Sequence, residues 1–558
     1  MASLLTAVFN ATVGLLVEKG RDAAAEKLKQ GDITDQKLRD VIVREIHDVK
    51  SKLDGLARKD LLAAIDFFEE GITLLYDLPQ LEYSPGYDVE DNVVSLPQAM
   101  SNLKLTQSMD EASTSNLSRA KKRFEDSRRK ATEAFNDEAL KPSDRIAAMG
   151  YRVMATVLET VDNPTAALSA CRLCIERLHS LPAVQNCFSV ELKKGLRGWF
   201  SKDERREIIT AICRVNRVIY DVTCIVYGFG NKELQDITQT WPCIDIDNGS
   251  TNVNPMIDER VANTLRKRGM NHFSARWSFG QEGEEKQRLK QPGGVATNTQ
   301  GGFIVTDYND RNVKAFDSTG KFLYSFYPGA NEKAKDYKDG LIHDVATDKK
   351  DNIYVLLTLK MPGADEEKSF VYLKTSDQFL PLRGGFRSWS FGCSSLAISD
   401  NDKVLVRGGM IGGHYVVDVY EKDGQFVNRF GEGILKGASS IAAANDGCII
   451  VADHEGDSHH VYTFSEEGKR LSKFTVQKSY HYPQTTFHQA SEHFVVAGIE
   501  RGAERRLQIM IYTKNGEIVR SIEHNEIDVV YLRGIAVSAD GRIAVVYKQA
   551  SEFKILVV

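Results

Sequence analysis

One pattern fills the second half of the chain six times over, and a recurrence of that length limits the fold more tightly than any local motif. Residues 291–322 hold the clearest copy: an apolar run, a turn, a second run ending Thr306-Asp307, a polar loop, a third run ending Phe316-Asp317, and a turn at Gly320. Equivalent positions in the first run of each copy are Val295, Val345, Ala397, Ala442, Phe487 and Ala536, so the steps are 50, 52, 45, 45 and 49 residues. Short alternating runs at this period make a four-stranded blade, and six blades make a closed ring. Asp423-Gly424, Asn515-Gly516 and Asp540-Gly541 supply hairpin turns. The sixth copy stops after its third run, at Val558, while an apolar segment at 275–280 stands unclaimed just before the first. We expect that segment to supply the missing strand and close the ring, which would remove exposed edges.

Pro292-Gly293-Gly294-Val295-Ala296, Gly302 through Asp307, and Arg311 through Asp317 with Gly320 resemble a complete NHL repeat. Ile449 through Asp453 and Val461 through Phe464 resemble a second, whereas the second, third and fifth copies lack the Asp after their second run. The resemblance implies a six-bladed β-propeller of NHL type over 275–558. It also implies a layout similar to tripartite-motif NHL proteins, in which helices assemble and the propeller binds a partner. The RING and B-box zinc ligands of that family have no counterpart here, so ubiquitin ligase activity is not carried over.

A chain of 558 residues exceeds one core, and the first half reads differently. Apolar residues at 38, 42, 46, 49, 53 and 56 recur at spacings of four and three, a coiled-coil-like seam within a helical region over 1–78. Prolines and a Ser/Asn/Asp-rich stretch mark 79–116 as a linker or loop. Helices are expected at 117–138, 143–161, 164–180, 183–199 and 202–227, started by Pro142, Pro164, Pro182 and a capping box from Ser201 to Glu204. The array over 117–227 resembles a tetratricopeptide-like array, without its Trp-Leu-Gly-Tyr pattern. Gly228, Gly230, Pro242, Gly249 and Pro255 crowd 228–274, which reads as a second linker. The fold class expected is multidomain α plus all-β: a helical bundle or short solenoid followed by a six-bladed propeller.

Basic and acidic residues nearly balance, 72 against 77, which argues against nucleic acid as a partner and leaves an RNA-binding propeller as the third-ranked reading. The cluster Arg501, Arg505 and Arg506 is the best local basic spot, with a solvated loop as the plainer account. His343 and His488 fall near the axis of the ring in the repeat alignment. A zinc site needs three convergent ligands, so these two read as rim residues that could contact a partner. His454, His459 and His460 with Asp453 and Asp457 read as an exposed connecting loop. Cys171 and Cys174 form a CxxC on a helix and read as buried thiols. No catalytic, cofactor or metal constellation emerges. At the N-terminus, Leu5, Phe9, Val13 and Leu16 form one stripe of an amphipathic helix. Packing on its own domain is favoured over insertion into a membrane or partner. With no export signal, the expected compartment is the cytoplasm. The function expected is a non-enzymatic protein-interaction scaffold, the propeller face binding a protein partner and the N-terminal helices open to homo-oligomerisation. The alternative is a membrane-acting helical effector restrained by the propeller.

Overall fold

The computed structural model describes residues 46–47, 50, 58–76, 111–160, 164–193, 198–228, 237–247, 249–281, 283–328, 341–360, 367–375, 379–381, 395–411, 414–444, 446–477, 480–489, 491–501, 505–524, 529–539 and 541–558. The stripe Leu5, Phe9, Val13, Leu16 and nearly all of the expected 79–116 linker lie outside them. The chain divides into two compact units, one helical and one built from Arg276–Val558.

In the helical unit, α1 (Lys59–Tyr76), α2 (Glu111–Asn136), α3 (Pro142–Glu159), α4 (Pro164–His179), α5 (Pro182–Leu192) and α6 (Lys202–Tyr227) follow in order. Proline at the first helical position starts α3 and α5, where its missing N–H is no loss. The Ser201 side chain accepts from Glu204 N while Glu204 reaches back to Ser201 N, so the capping box forms as expected. Close approach of α1 and α2 depends on Gly71, where a Cβ would meet the Phe124 ring at 2.6 Å. Phe124 and Tyr151 both pack on Phe68, with ring centroids 5.6 Å apart in each case.

Three expectations are corrected here. Helix α2 begins at Glu111, inside the segment read as linker. The helix expected over 183–199 ends at Leu192: Lys193 is extended, and Trp199 N donates to Asn186 Oδ1 at 3.2 Å. The stretch 228–274 is no free linker over its described part: Asp236–Ala275 belongs to the helical unit. A two-residue pairing of β1 (Ile244–Asp245) with β2 (Asn252–Val253) and the helix α7 (Glu259–Arg266) bury Trp241, Ile244, Val253, Met256, Val261 and Leu265 in the helical core. Its glycines and prolines mark turns within a packed segment.

The second unit is a six-bladed β-propeller. Blade one is β4 (Pro292–Thr297), β5 (Phe303–Asp307), β6 (Asn312–Phe316) and β7 (Phe322–Phe326). Blade two is β8 (Leu341–Thr347), β9 (Ile353–Lys360), β10 (Glu367–Lys374) and β11 (Phe379–Pro381). Blade three is β12 (Ser395–Ile398), β13 (Val404–Ile411), β14 (His414–Tyr420) and β15 (Phe426–Leu435). Blade four is β16 (Ser440–Ala443), β17 (Ile449–Glu455), β18 (Ser458–Phe464) and β19 (Arg470–Thr475). Blade five is β20 (Tyr480–His488), β21 (His493–Glu500), β22 (Leu507–Tyr512) and β23 (Ile518–Glu523). Blade six is β24 (Val529–Val537), β25 (Ile543–Gln549) and β26 (Glu552–Val557), with β3 (Trp277–Phe279) as its fourth strand.

Antiparallel pairing of Ile555 with Phe279 and Val557 with Trp277 closes the ring as the strand count requires. The six repeat-equivalent residues, Val295 through Ala536, all lie buried in the innermost strands. Apolar clusters form between neighbouring blades, such as Val345 and Val355 with Ile304 and Ala315, so each sheet buries its faces against the next. Asp307, at the end of β5, and Asp453, within β17, have the same task. Each carboxylate accepts the backbone N–H groups of the two residues that lead into its blade's inner strand, Lys290 and Gln291 in one case and Lys436 and Gly437 in the other.

Candidate functional site

Six inner strands, each packed beside the next around the ring, surround a channel of about 790 Å³. Antiparallel pairing sets its two ends: Tyr480 at the start of β20 lies opposite Glu500, and His488 at its finish lies opposite His493. We term the end where the inner strands begin the mouth.

Near the mouth the inner strands leave regular pairing. Register shifts occur between Pro292 and Val295, Ile342 and Asp344, His481 and Gln484, and Leu532 and Gly534. A bulge bends its strand and re-aims a side chain, and bulges of this kind collect at barrel rims and sites. The backbone amides loosened in this way find side-chain partners. Gly294 N donates to Thr306 Oγ1 at 2.8 Å, and Val345 N donates to Asp344 Oδ1 at 2.9 Å. Links between blades use the same device: Leu396 N donates to Asp344 Oδ2 at 2.8 Å, Ile441 N to Ser395 Oγ at 3.1 Å, and Thr485 N to Ser440 Oγ at 2.8 Å.

Blades two and three bring His343, Asp344 and Arg407 to the channel. Burial pushes the Asp344 carboxyl up to about 7, against the opposing pull of its bonds to Leu396, Val345 and Ser395 and of nearby Arg407. Burial pushes His343 down to about 4, helped by the Arg407 charge, so the imidazole is neutral at physiological pH. Its Nε2 shares a hydrogen bond with Thr358 Oγ1 at 2.9 Å. Arg407 sits across the ladder from Ser395 and stacks on Tyr415, 5.3 Å from the ring centroid. On the opposite side of the ring, blade six contributes Arg533, 4.9 Å from the Tyr531 centroid, and both are exposed. Tyr308 borders the same mouth, its N–H donating to Gln291 O at 2.9 Å.

Of the residues singled out in the sequence, His343 lies within β8 and lines the channel. His488 lies at the finish of β20, buried and bonded through Nδ1 to Ser491 Oγ at 2.7 Å. The two histidines sit toward opposite ends of their strands and do not converge. Arg501, Arg505 and Arg506 fall on the connection from β21 to β22, at the mouth end but outside the channel lining, and Arg501 pairs with Asp457. The expected exposed loop around His454 is corrected. The hairpin of β17 and β18 runs on to Glu455 and Ser458, pairing His454 with His459 and burying His459 and His460. Cys171 and Cys174 are buried in the helical core, where burial pushes both thiols up. Sequence reasoning missed Asp344 and Arg407. Their signal was a charge interrupting a largely apolar run, in the inner strand Leu341–Thr347 and in the second strand Val404–Ile411.

No family model matches the chain, and no curated protein matches it. Similar solved structures include a streptogramin B lyase at 11% identity, covering 48% of this chain and 93% of that one, with a TM-score of 0.34. A gluconolactonase from Xanthomonas campestris is 12% identical over 48% of this chain and 86% of its own, with a TM-score of 0.34. The Dos1 propeller is 13% identical over 48% of this chain and 66% of its own, with a TM-score of 0.31. Among the described residues, no helix is long and apolar enough to cross a membrane.

Proposed function

We propose that this chain is a non-enzymatic cytoplasmic scaffold whose propeller binds a protein at the channel mouth, with the helical unit serving assembly. One observation carries the reading: Tyr308, Tyr531 and Arg533 are presented at a single mouth. Tyrosine and arginine dominate binding hot spots because they combine large rigid area with directed polar groups. The polar groups inside the channel are committed to structure, Asp344 to backbone amides and His343 to Thr358, which favours binding over catalysis. Blades one and four are read as NHL-type repeats on the shared role of Asp307 and Asp453. The buried free thiols of Cys171, Cys187 and Cys213 suit a reducing compartment. A photo-crosslinking residue at position 531, with a control at exposed Leu471 on β19, tests the reading in cells. A protein captured at 531 and not at 471, and lost with Tyr308→Ala, is the expected result. Equal capture at both positions, or a partner retained when 276–558 are deleted, would sink it.

A further inference from the structure

The hairpin of β17 and β18 carries histidines at the mouth end of blade four. Side chains alternate along a strand, so residues two apart share a face. Ile450 and Val461 belong to the apolar cluster that joins blade four to Tyr480 and Phe487 of blade five. The register runs on from Ala452 opposite Val461 to His454 opposite His459, which puts both imidazoles on that same face. Their ring centroids are 6.1 Å apart, and the His459 centroid is 6.4 Å from that of Tyr480, the first residue of β20. His459 is 2% exposed. The backbone at Gly437 closes in on the His454 ring, which a Cβ there would overlap.

The other face of the hairpin is built differently. Asp453 lies opposite His460, and His460 Nδ1 shares a hydrogen bond with Thr475 Oγ1 at 3.2 Å. Burial and then the Lys473 charge push His460 down, while Asp453 and Glu455 pull the other way. His459 has like charges for neighbours. Burial pushes it down, and so do His454, His460 and His481, against a hydrogen bond with the Tyr480 backbone. Farther along the seam, Glu500 on β21 lies opposite Tyr480 and accepts from Gln508 Nε2 at 2.9 Å, and at the hairpin tip Asp457 pairs with Arg501.

We propose that the seam between blades four and five is an acid-sensitive latch, in which protonation of His459 puts a positive charge on the face it shares with His454 and Tyr480 and loosens the hairpin of β17 and β18 at the channel mouth. A neutral imidazole packs in this seam as a ring; a buried imidazolium is costly without an anion to receive it. The closed seam binds the proton less readily than the opened one, so closure is favoured above about pH 6.5 and loses that advantage as pH falls. His454 lines the channel, so the loosening is delivered at the mouth. The inference does not rest on the scaffold reading, since its assay contains no partner and each can fail alone.

Hydrogen exchange of the full chain, read by mass spectrometry at about pH 7.5 and about pH 5.5 and corrected for the intrinsic rate at each, tests the latch. At the lower pH an exposed imidazole is charged in about a tenfold excess, so protection of Ile449–Glu455, Ser458–Phe464 and Tyr480–His488 should fall by up to about tenfold. Blade one has no histidine between 291 and 327 and is the internal reference, expected to change by less than about twofold. His459→Phe removes the titrating group and keeps a buried ring, and His459→Gln serves if the first variant does not fold. Either one should erase the difference between the two blades. The wild-type comparison decides without them: a fall in blade four of less than about threefold relative to blade one overturns the proposal. So does a fall of wild-type size in either folded variant.

Discussion

Replacing Phe279 by alanine should open the ring at one seam. Phe279 is 5% exposed and sits at the junction of β3 with blade one, its ring centroid 5.0 Å from Phe316, 5.1 Å from Phe303 and 5.5 Å from Trp277. Gly320, with φ at 79°, brings backbone against the same ring system, since a Cβ there would meet Phe279 Cβ at 2.8 Å. Removing the aromatic ring takes away roughly 150 Å² of buried apolar area, about 4 kcal/mol at 25 cal/mol per Å². Three rigid rings line the space, so collapse offsets little of the cavity term, and the range for Phe→Ala in cores is about 3–5 kcal/mol. A domain's whole stability is about 5–15 kcal/mol, so this is a large share. Hydrogen exchange read by mass spectrometry should show the β3 and β26 amides losing close to a thousandfold protection, about 4 kcal/mol, while α6 is unchanged. A drop smaller than about fivefold at those strands would refute the reasoning that β3 is the clasp.

Gly294→Ala should cost about 2–4 kcal/mol in urea unfolding, because the new Cβ overlaps Asp344 Oδ1 and lies 2.9 Å from Asp344 Cα, displacing a carboxylate from two backbone amides. Lys314→Met should cost about 3–5 kcal/mol, since it leaves the fully buried Asp307 and its neighbour Asp310 without the ammonium that pairs with both; the shift of the urea midpoint measures it. Burial pushes His179 down to about 4 from 6.5, so between those values the unfolded chain binds more protons than the folded one. Stability of the helical unit should therefore fall by about 2 kcal/mol from pH 7 to pH 5, seen in melts of the helical signal and abolished in His179→Gln. The groups facing Asp344 are Arg407 on β13, Ser395 and the Leu396 amide on β12, and its neighbour His343, which stays neutral near pH 7. Ionisation of Asp344 as pH rises through about 7 adds a negative charge to the channel.

The ring was legible because the repeat spacing places Val295, Val345, Ala397, Ala442, Phe487 and Ala536 at one position of every blade, and the structure buries all six. Its closure was legible because a strand was missing at one end and left over at the other. The site was not. Asp344 and Arg407 each break an apolar run, but what Asp344 does rests on a bulge and on a cross-blade bond from Leu396 N, 52 positions away, which the run itself does not display. Histidines drew attention by residue type, yet His343 and His488 differ in which end of a strand they occupy, which only the register settles. In the segment before the ring, Gly and Pro density overrode a stronger signal: Trp241, Ile244, Val253 and Met256 recur as buried anchors, and apolar anchors at that density belong to a core.

The clasp has a consequence for how the protein is made. Phe279 pairs with Ile555, so a residue near the start of the propeller waits for one synthesised 555 minus 279, or 276, residues later. At about 5–20 residues per second that is roughly 14 to 55 s, during which Trp277 and Phe279 have no strand to join. Blades one to five can fold in order behind the ribosome, but the circle cannot shut until the last blade emerges. The nascent chain therefore passes through an open form with two aromatic rings uncovered at one edge. That form is the stage at which two nascent chains on one message could exchange clasps.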